Sequence, residues 1–131
     1  MATVNLQNAR KEVITGNDNV VIVNHFDGIR GGRTLDVTGY TLETIKAGHV
    51  IVKTSAGDYA PMPLNSGNDA YATLPDGASY AGYLVASIET KKPFAAIMTR
   101  GTINPKASPY KLDSILAAVK EALPLIDYQE D

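Results

Sequence analysis

The sequence predicts a mostly β domain with one C-terminal α-helix, on two observations. Residues 82–89 and 93–101 are short apolar runs on either side of a basic connection at residues 90–92, which is the pattern of a β-hairpin. Pro93 is tolerated there because it begins the second strand. Between residues 109 and 123 the apolar positions are three and four apart, the spacing of an amphipathic helix. The hairpin alternates imperfectly, so we expect protein on both of its faces.

The composition is that of an ordinary globular domain. The chain has 131 residues, of which 44% are hydrophobic and 20% charged, and its net charge is −2. This length predicts one domain, and the missing basic excess argues against nucleic acid as a partner. No apolar run reaches the roughly 18–20 residues of a membrane span, and the first residues do not resemble a signal peptide, so we expect a cytosolic start and no membrane partner. The absence of cysteine excludes disulfides, thiol catalysis and thiolate metal sites.

Residues 1–19 are predicted to form an N-terminal arm that is distinct from a domain over residues 20–131. Val4 and Leu6 lie among polar residues, and a turn cluster follows at residues 15–19. Two interpretations stay open, a mobile end or an arm that orders against a partner through main-chain pairing. Residues 20–23 are β-branched throughout and predict a buried strand.

The glycine-rich segment at residues 28–33 predicts a turn that leads into β structure over residues 34–41. Its glycine spacing fits neither of the common phosphate-binding loops, and no helical pattern follows it. Arg30 and Arg33 are either solvated or placed to meet acidic groups on a partner.

The remaining segments extend the β prediction towards the helix. Residues 49–53 predict a strand, and prolines in residues 59–64 place that segment at a sheet edge. Residues 108–109 supply a serine N-cap and a proline for a helix over about 109–123, and Pro124 ends it. Residues 125–128 predict a short terminal strand.

Side chains that carry catalysis are sparse. Most carboxylates lie singly beside turn glycines and predict turns, as Asp27, Asp58 and Asp76 do. A hydrolase that uses Asp36 with Glu43 or Glu89 stays open as a minor alternative. His25 has no partner in sight, and two histidines do not form a metal motif. We therefore expect no catalytic residue, no cofactor and no metal.

Three pieces of sequence, in order, carry a family resemblance. They are the strand, turn and strand at residues 49–62, the strands at residues 81–86 and 95–104, and the helix after Pro109 with its short apolar tail. In this order they resemble the head decoration proteins of tailed bacteriophages, the group that includes the lambda decoration protein. The block at residues 32–40 is more similar to phage proteins labelled head fibre proteins. The resemblance covers about residues 30–128.

The resemblance implies a compact β-barrel or β-tulip-like domain on the outer surface of the capsid in the virion, made in the host cytoplasm. It implies a non-enzymatic structural protein that forms a homotrimer, binds the major capsid protein and stabilises the shell. The arm lacks the family's Thr-, Ala- and Pro-rich character. We expect capsid contacts at Val4, Leu6, Val20, Val21, Ile22, Arg30 and Arg33. We expect contacts between copies at Tyr83, Val85, Phe94, Ile97 and Met98.

A second class of function stays open beside this one. A module for a surface glycan or host surface, displayed on the capsid, would group exposed aromatic side chains. The candidates are Tyr59, Tyr71, Tyr80 and Tyr83. An attached fibre is a further partner that the head fibre resemblance leaves open.

Overall fold

The computed structural model describes residues 15–130 and contains ten strands, two helices and one 3₁₀ turn. The helices are α1 (Asp18–Val21) and α2 (Leu116–Ala122), and the 3₁₀ turn is Pro105–Ala107. The strands are β1 (Ile22–Gly28), β2 (Arg33–Thr34), β3 (Thr44–Ile45), β4 (Val50–Lys53), β5 (Tyr59–Pro61), β6 (Ser79–Leu84), β7 (Ile88–Glu89), β8 (Phe94–Ala95), β9 (Ile97–Ile103) and β10 (Ile126–Tyr128).

Six of these strands form one sheet in the order β1-β9-β6-β4-β5, with β10 also paired to β9. Strand β9 has β1 along one edge, while β6 and β10 share its other edge, pairing with Met98 and with Gly101 respectively. All pairs are antiparallel except β10 with β9. The fold class is confirmed, because the chain is mostly β with a C-terminal helix. The edge position of β5 and the terminal strand are also as predicted.

Away from the edge strand β1, both faces of the sheet are buried, as the imperfect alternation of the hairpin predicts. On β4, Val50 and Val52 belong to one core cluster and Ile51 to the other. Helix α2 covers the first face through Val119. The second face is covered by the segments around β2, β3, β7 and β8, through side chains such as Ile45. The chain itself therefore covers both faces, and neither needs a neighbouring copy to exclude water.

The hairpin prediction is right about the pairing and wrong about the connection. Strands β6 and β9 are antiparallel neighbours through the pairs Tyr83–Met98 and Leu84–Ile97. The first strand ends at Leu84, because β7 pairs with β3 and β8 pairs with β2. The connection therefore spans residues 85–96 and adds two small ribbons to the second face.

The predicted strand at residues 20–23 is wrong in its first half. Helix α1 continues through Val21, whose N–H donates to the carbonyl of Asn17 at 3.0 Å. The Asp18 carboxylate fixes this turn by accepting bonds from Ser87, 2.9 Å from its N–H and 2.7 Å from its hydroxyl. These tertiary bonds override the β preference of the valines. They also attach residue 18, which the sequence assigns to the arm, to the domain.

The predicted helix at 109–123 is shorter, at Leu116–Ala122. Residues 109–115, about two turns, are not helical. Residue 111 has a ladder partner instead: the Lys111 N–H donates to the carbonyl of Asp69 at 3.1 Å, and Lys111 bridges Ala70. The apolar stripe is nevertheless buried as expected, through Leu112, Ile115, Val119 and Leu123. The predicted strand over residues 34–41 is likewise reduced, because only Thr34 of that range belongs to a strand, the second residue of β2.

Candidate interaction surfaces

Strand β1 is a sheet edge with almost no cover. It is the terminal strand of the sheet among the described residues, and Ile22 is its one buried residue. Its exposed apolar side chains include Val23 at 38% and Phe26 at 66% exposure, and Val20 just before it is 50% exposed. We call Val20, Val23 and Phe26 the β1 surface. Such an apolar edge is a frequent contact point for another chain.

Three register shifts interrupt the pairing of β1 with β9. Bulges of this kind bend a strand and shorten the regular ladder that an incoming strand could extend. A partner on this edge would therefore gain mainly from side-chain burial on Val23 and Phe26. Fully burying one such side chain is worth about 1.5–3 kcal/mol.

The capsid contacts predicted from sequence divide into three groups. Val4 and Leu6 lie outside the described residues. Val21 and Ile22 are buried in the core of the chain itself, so their side chains offer no surface to a partner. Val20, Arg30 and Arg33 are exposed.

Most of the predicted contacts between copies are taken up by the fold. Tyr83, Ile97 and Met98 are at most 1% exposed, because alternating residues of β6 and β9 fill the two core clusters. Placing them at a trimer interface is therefore a prediction that the burial contradicts. Val85 is half-buried, and Phe94 is 70% exposed. The expectation of an interface between copies remains with these two.

Arg33 and Lys53 share one aromatic ring. The guanidinium carbon of Arg33 lies 5.8 Å from the centroid of the Tyr59 ring, and Lys53 Nζ lies 5.7 Å from the same centroid. Lys53 and Tyr59 are directly paired across β4 and β5, which places their side chains on one face. Next to Arg33 is a depression of about 470 Å³ that Gly31, Gly32 and Phe94 also line.

His49, which the sequence places in a strand over residues 49–53, precedes β4 and lies at the centre of an aromatic cluster. The rings of Tyr40, Tyr71 and Tyr110 stand edge-on to it, with centroids 5.3–5.7 Å away. His49 Nε2 lies 2.9 Å from the carbonyl oxygen of Met62, which can only accept, so Nε2 carries the proton. Burial lowers the pKa of His49 to about 4, and the bond to Met62 opposes that shift. The histidine is therefore neutral and structural.

The tyrosines proposed for glycan binding do not form one exposed group. Tyr71 and Tyr83 are buried, and burial raises the pKa of both phenols. The Tyr83 hydroxyl is bonded to that of Tyr128 at 2.9 Å. Tyr59 and Tyr80 are half-buried. An exposed aromatic platform built from these four side chains is therefore a prediction that the burial contradicts.

A separate groove of about 410 Å³ has a mixed lining. Tyr40 and several prolines supply its apolar part, and Asp36 and Asn68 supply polar atoms. The Asp36 carboxylate accepts bonds from the Thr38 hydroxyl at 2.7 Å and from the Thr38 N–H at 3.1 Å, and these bonds lower its pKa. Asn68 has a positive φ of 55°.

The possible hydrolase residues are divided between elements. Glu89 lies on β7 and pairs with Thr44, and Glu43 directly precedes β3, where its carbonyl accepts the Thr90 N–H at 2.9 Å. The Asp36 carboxylate is instead bonded to Thr38. Within residues 15–130 no cluster of three His, Asp or Glu side chains could hold a metal ion. His25 is exposed on β1.

Two features of these surfaces were missed in the sequence. Phe26 drew attention only as a neighbour of His25, although the lack of alternation over residues 22–28 is a signal of a strand with two uncovered faces. The second feature is the group of Arg33, Lys53 and Tyr59. The turn between Lys53 and Tyr59 brings these two residues into a pair, so the sequence alone supports that contact. The approach of Arg33 to the same ring depends on tertiary structure.

No helix among the described residues is both long and apolar enough to cross a membrane. Comparison with known proteins gives no matching family model, no matching curated protein and no matching solved structure.

Proposed function

We propose that this chain is a non-enzymatic structural protein of a phage virion, which binds the outer surface of the capsid as a trimer and stabilises the shell. The resemblance to head decoration and head fibre proteins is the starting point. The mostly β fold with a C-terminal helix and a terminal strand is compatible with it. Adding buried contacts between capsid subunits would stabilise the shell by linkage, without catalysis.

The observation that carries the proposal is the uncovered edge at β1. Both faces of the central sheet are filled by the chain itself, yet Val23 and Phe26 remain in solvent on a strand that has no second neighbour among the described residues. This combination supports an external protein partner at the β1 surface. In this proposal the partner is the major capsid protein.

The direct test is cosedimentation of the purified protein with empty heads of tailed phages. Phe26→Asp should weaken binding about tenfold or more, because it removes a large apolar side chain from the contact and buries a charge. Leu125→Asp is a matched control, since Leu125 is 64% exposed against 66% for Phe26 but lies beside β10. If the unchanged protein binds no head, the proposed function is contradicted. If Phe26→Asp and Leu125→Asp bind equally well, the role of the β1 surface is contradicted.

The trimer is tested separately at Phe94. Phe94→Asp should lower the trimer fraction in sedimentation velocity, in solution or on the capsid, while Leu125→Asp should not. Ile97 is unsuitable for this test, because it is 1% exposed and an aspartate there would unfold the core. If Phe94→Asp forms the same fraction of trimer as the unchanged protein, the interface between copies does not include Phe94.

The N-terminal arm is tested by removing residues 2–14. We expect weaker capsid attachment and an unchanged fold. Residues 15–19 are kept because Asp18 bonds to Ser87 inside the domain. Unchanged attachment would show that capsid contact does not involve the removed segment.

A second candidate, carbohydrate binding, is favoured by the groove beside Tyr40. Its mixture of a tyrosine, prolines and the polar atoms of Asp36 and Asn68 is a common lining for a small polar ligand. A glycan array would test it, with Asp36→Asn as the variant. Binding to no glycan, or equal binding by the variant, would remove this candidate.

A further inference from the structure

Arg33 is held in one orientation by its own backbone environment. Its Nη1 donates to the carbonyl oxygen of Gly32 at 2.6 Å and to that of Arg30 at 3.2 Å. Nη1 has two hydrogens, so these bonds occupy it fully. Within residues 15–130, Nε and Nη2 have no acceptor, and they form the side of the guanidinium that fits a carboxylate in bidentate geometry.

Lys53 adds a second positive charge to the same place. Both cations lie within 6 Å of the centroid of the Tyr59 ring, whose negative faces attract each of them. Within residues 15–130, no carboxylate forms an ion pair with Arg33 or Lys53. Asp36 lies three residues after Arg33, and its carboxylate is engaged by Thr38; Asp58 precedes Tyr59 in the chain and forms no ion pair with either cation among the described residues.

Other exposed cations flank the depression in sequence. The chain has a net charge of −2, yet the segments around the depression beside Arg33 carry exposed cations at Arg30, Lys91 and Lys92 as well. A turn of two glycines with positive φ forms one wall, and a side chain on Gly32 would meet the carbonyl oxygen of Ala95. Gly32 thus packs closely on the backbone of β8, whereas a Cβ at Gly31 would meet nothing within 4 Å, so the open space of the depression lies beside Gly31.

We propose that Arg33, Lys53 and Tyr59 form a recognition site for carboxylate side chains on an acidic segment of a partner protein. The site is named here the Arg33 site. The Arg33 guanidinium takes one carboxylate through Nε and Nη2, and Lys53 neutralises a second or strengthens the first. That the acidic segment belongs to the capsid surface rests on the proposed function, whereas the carboxylate chemistry rests on the geometry alone.

The first experiment uses no capsid. A decaglutamate peptide is titrated into the protein and binding is followed by NMR chemical-shift changes. Arg33→Gln with Lys53→Gln should weaken binding ten- to a hundredfold, the range of a charge-assisted bidentate bond. Lys46→Gln with Lys111→Gln is the matched control, because it removes two exposed lysines and changes the net charge equally.

Arg33→Lys separates geometry from charge. It keeps the positive charge and loses the planar fork. We therefore expect Arg33→Lys to weaken decaglutamate binding by about tenfold, although the charge is unchanged. Equal losses in the control, no binding by the unchanged protein, or full binding by Arg33→Lys would overturn the proposal. Tighter binding to a heparin oligosaccharide than to decaglutamate would also overturn it, because the site would then prefer sulfate. Thermal melts of all variants verify that they are folded.

The second experiment repeats the comparison by cosedimentation with empty heads. If the unchanged protein and the variant with both Arg33→Gln and Lys53→Gln bind heads equally, the Arg33 site is not the capsid contact, and the proposed function stands. If the unchanged protein binds no head while decaglutamate binding depends on Arg33, the site stands and the proposed function fails. Phe94 is left unchanged throughout, so that the interface between copies is not altered at the same time.

Discussion

His49 should make the stability of this protein depend on pH in a defined window. In the folded chain burial lowers its pKa to about 4, while its ordinary value is 6.5. The unfolded chain therefore binds a proton at His49 more readily than the folded chain does. Above pH 6.5 the histidine is neutral in both states, and the free energy of unfolding has no penalty from it. As pH falls from 6.5 towards 4, protonation of the unfolded chain lowers that free energy.

The size of the effect follows from the two pKa values. A shift of one unit corresponds to 1.36 kcal/mol, so the complete loss below pH 4 is about 3 kcal/mol. Between pH 8 and pH 5 the loss is about 2 kcal/mol. That is a large part of the roughly 5–15 kcal/mol by which domains are usually stable.

The assay is urea unfolding at several pH values, with His49→Gln as the comparison. A glutamine amide can donate to the carbonyl of Met62 and does not titrate. Subtracting the two curves removes the contribution of carboxylates, which both proteins share. The difference in free energy of unfolding should change by about 2 kcal/mol between pH 8 and pH 5. His25→Gln, at an exposed histidine, is the matched control and should keep the steep profile.

A constant difference between the unchanged protein and His49→Gln across this range would refute the reasoning. It would mean that the folded chain accepts a proton at His49 as easily as the unfolded chain does. The ring could then not be enclosed by Tyr40, Tyr71 and Tyr110 as the structure has it.

Three further changes test the packing of the sheet, each by urea unfolding at pH 7.5. Tyr83→Phe should cost about 1 kcal/mol, because it removes the bond to the Tyr128 hydroxyl. Gly101→Ala should cost about 2 kcal/mol or more, since its Cβ would strike the backbone of β1, while Gly16→Ala, with open space around it, should stay within about 0.5 kcal/mol. Ser87→Ala should cost about 1–2 kcal/mol, because it leaves the Ala47 N–H without its acceptor and removes one of the two bonds to the Asp18 carboxylate, while the bond from the backbone N–H of residue 87 remains. A Gly101→Ala protein as stable as Gly16→Ala, or neutral changes at Tyr83 and Ser87, would contradict the packing described here.

Part of the fold could be read directly from the chain. The strand at β4, the edge strand β5 and the pairing of β6 with β9 were predictable, because each depends on a local pattern of apolar residues, turns and prolines. The connection between β6 and β9 was not, since β7 and β8 each pair with a strand some forty to sixty residues away in sequence. Local patterns carry no information about such distant partners.

The candidate sites divide in the same way. Arg30 and Arg33 stood out in the sequence as exposed cations, and the structure leaves both in solvent. Nothing local showed that Arg33 would share a ring with Lys53, or that Phe26 would have no cover. Tyr83 and Met98 were assigned to an interface because an apolar strand looks the same whether its own chain or a neighbour buries it. Only the arrangement of the ribbons over the second face decides between the two.

The sequence by itself determined the fold class and the position of the apolar stripe near the C-terminus. These depend on residue type and short-range periodicity. The tertiary structure decided that residues 20 and 21 end a helix, that α2 begins at Leu116, and which apolar side chains remain exposed. The physical reason is that hydrogen bonds such as those of Asp18 with Ser87 and of Lys111 with Asp69 join distant segments and outweigh local preference.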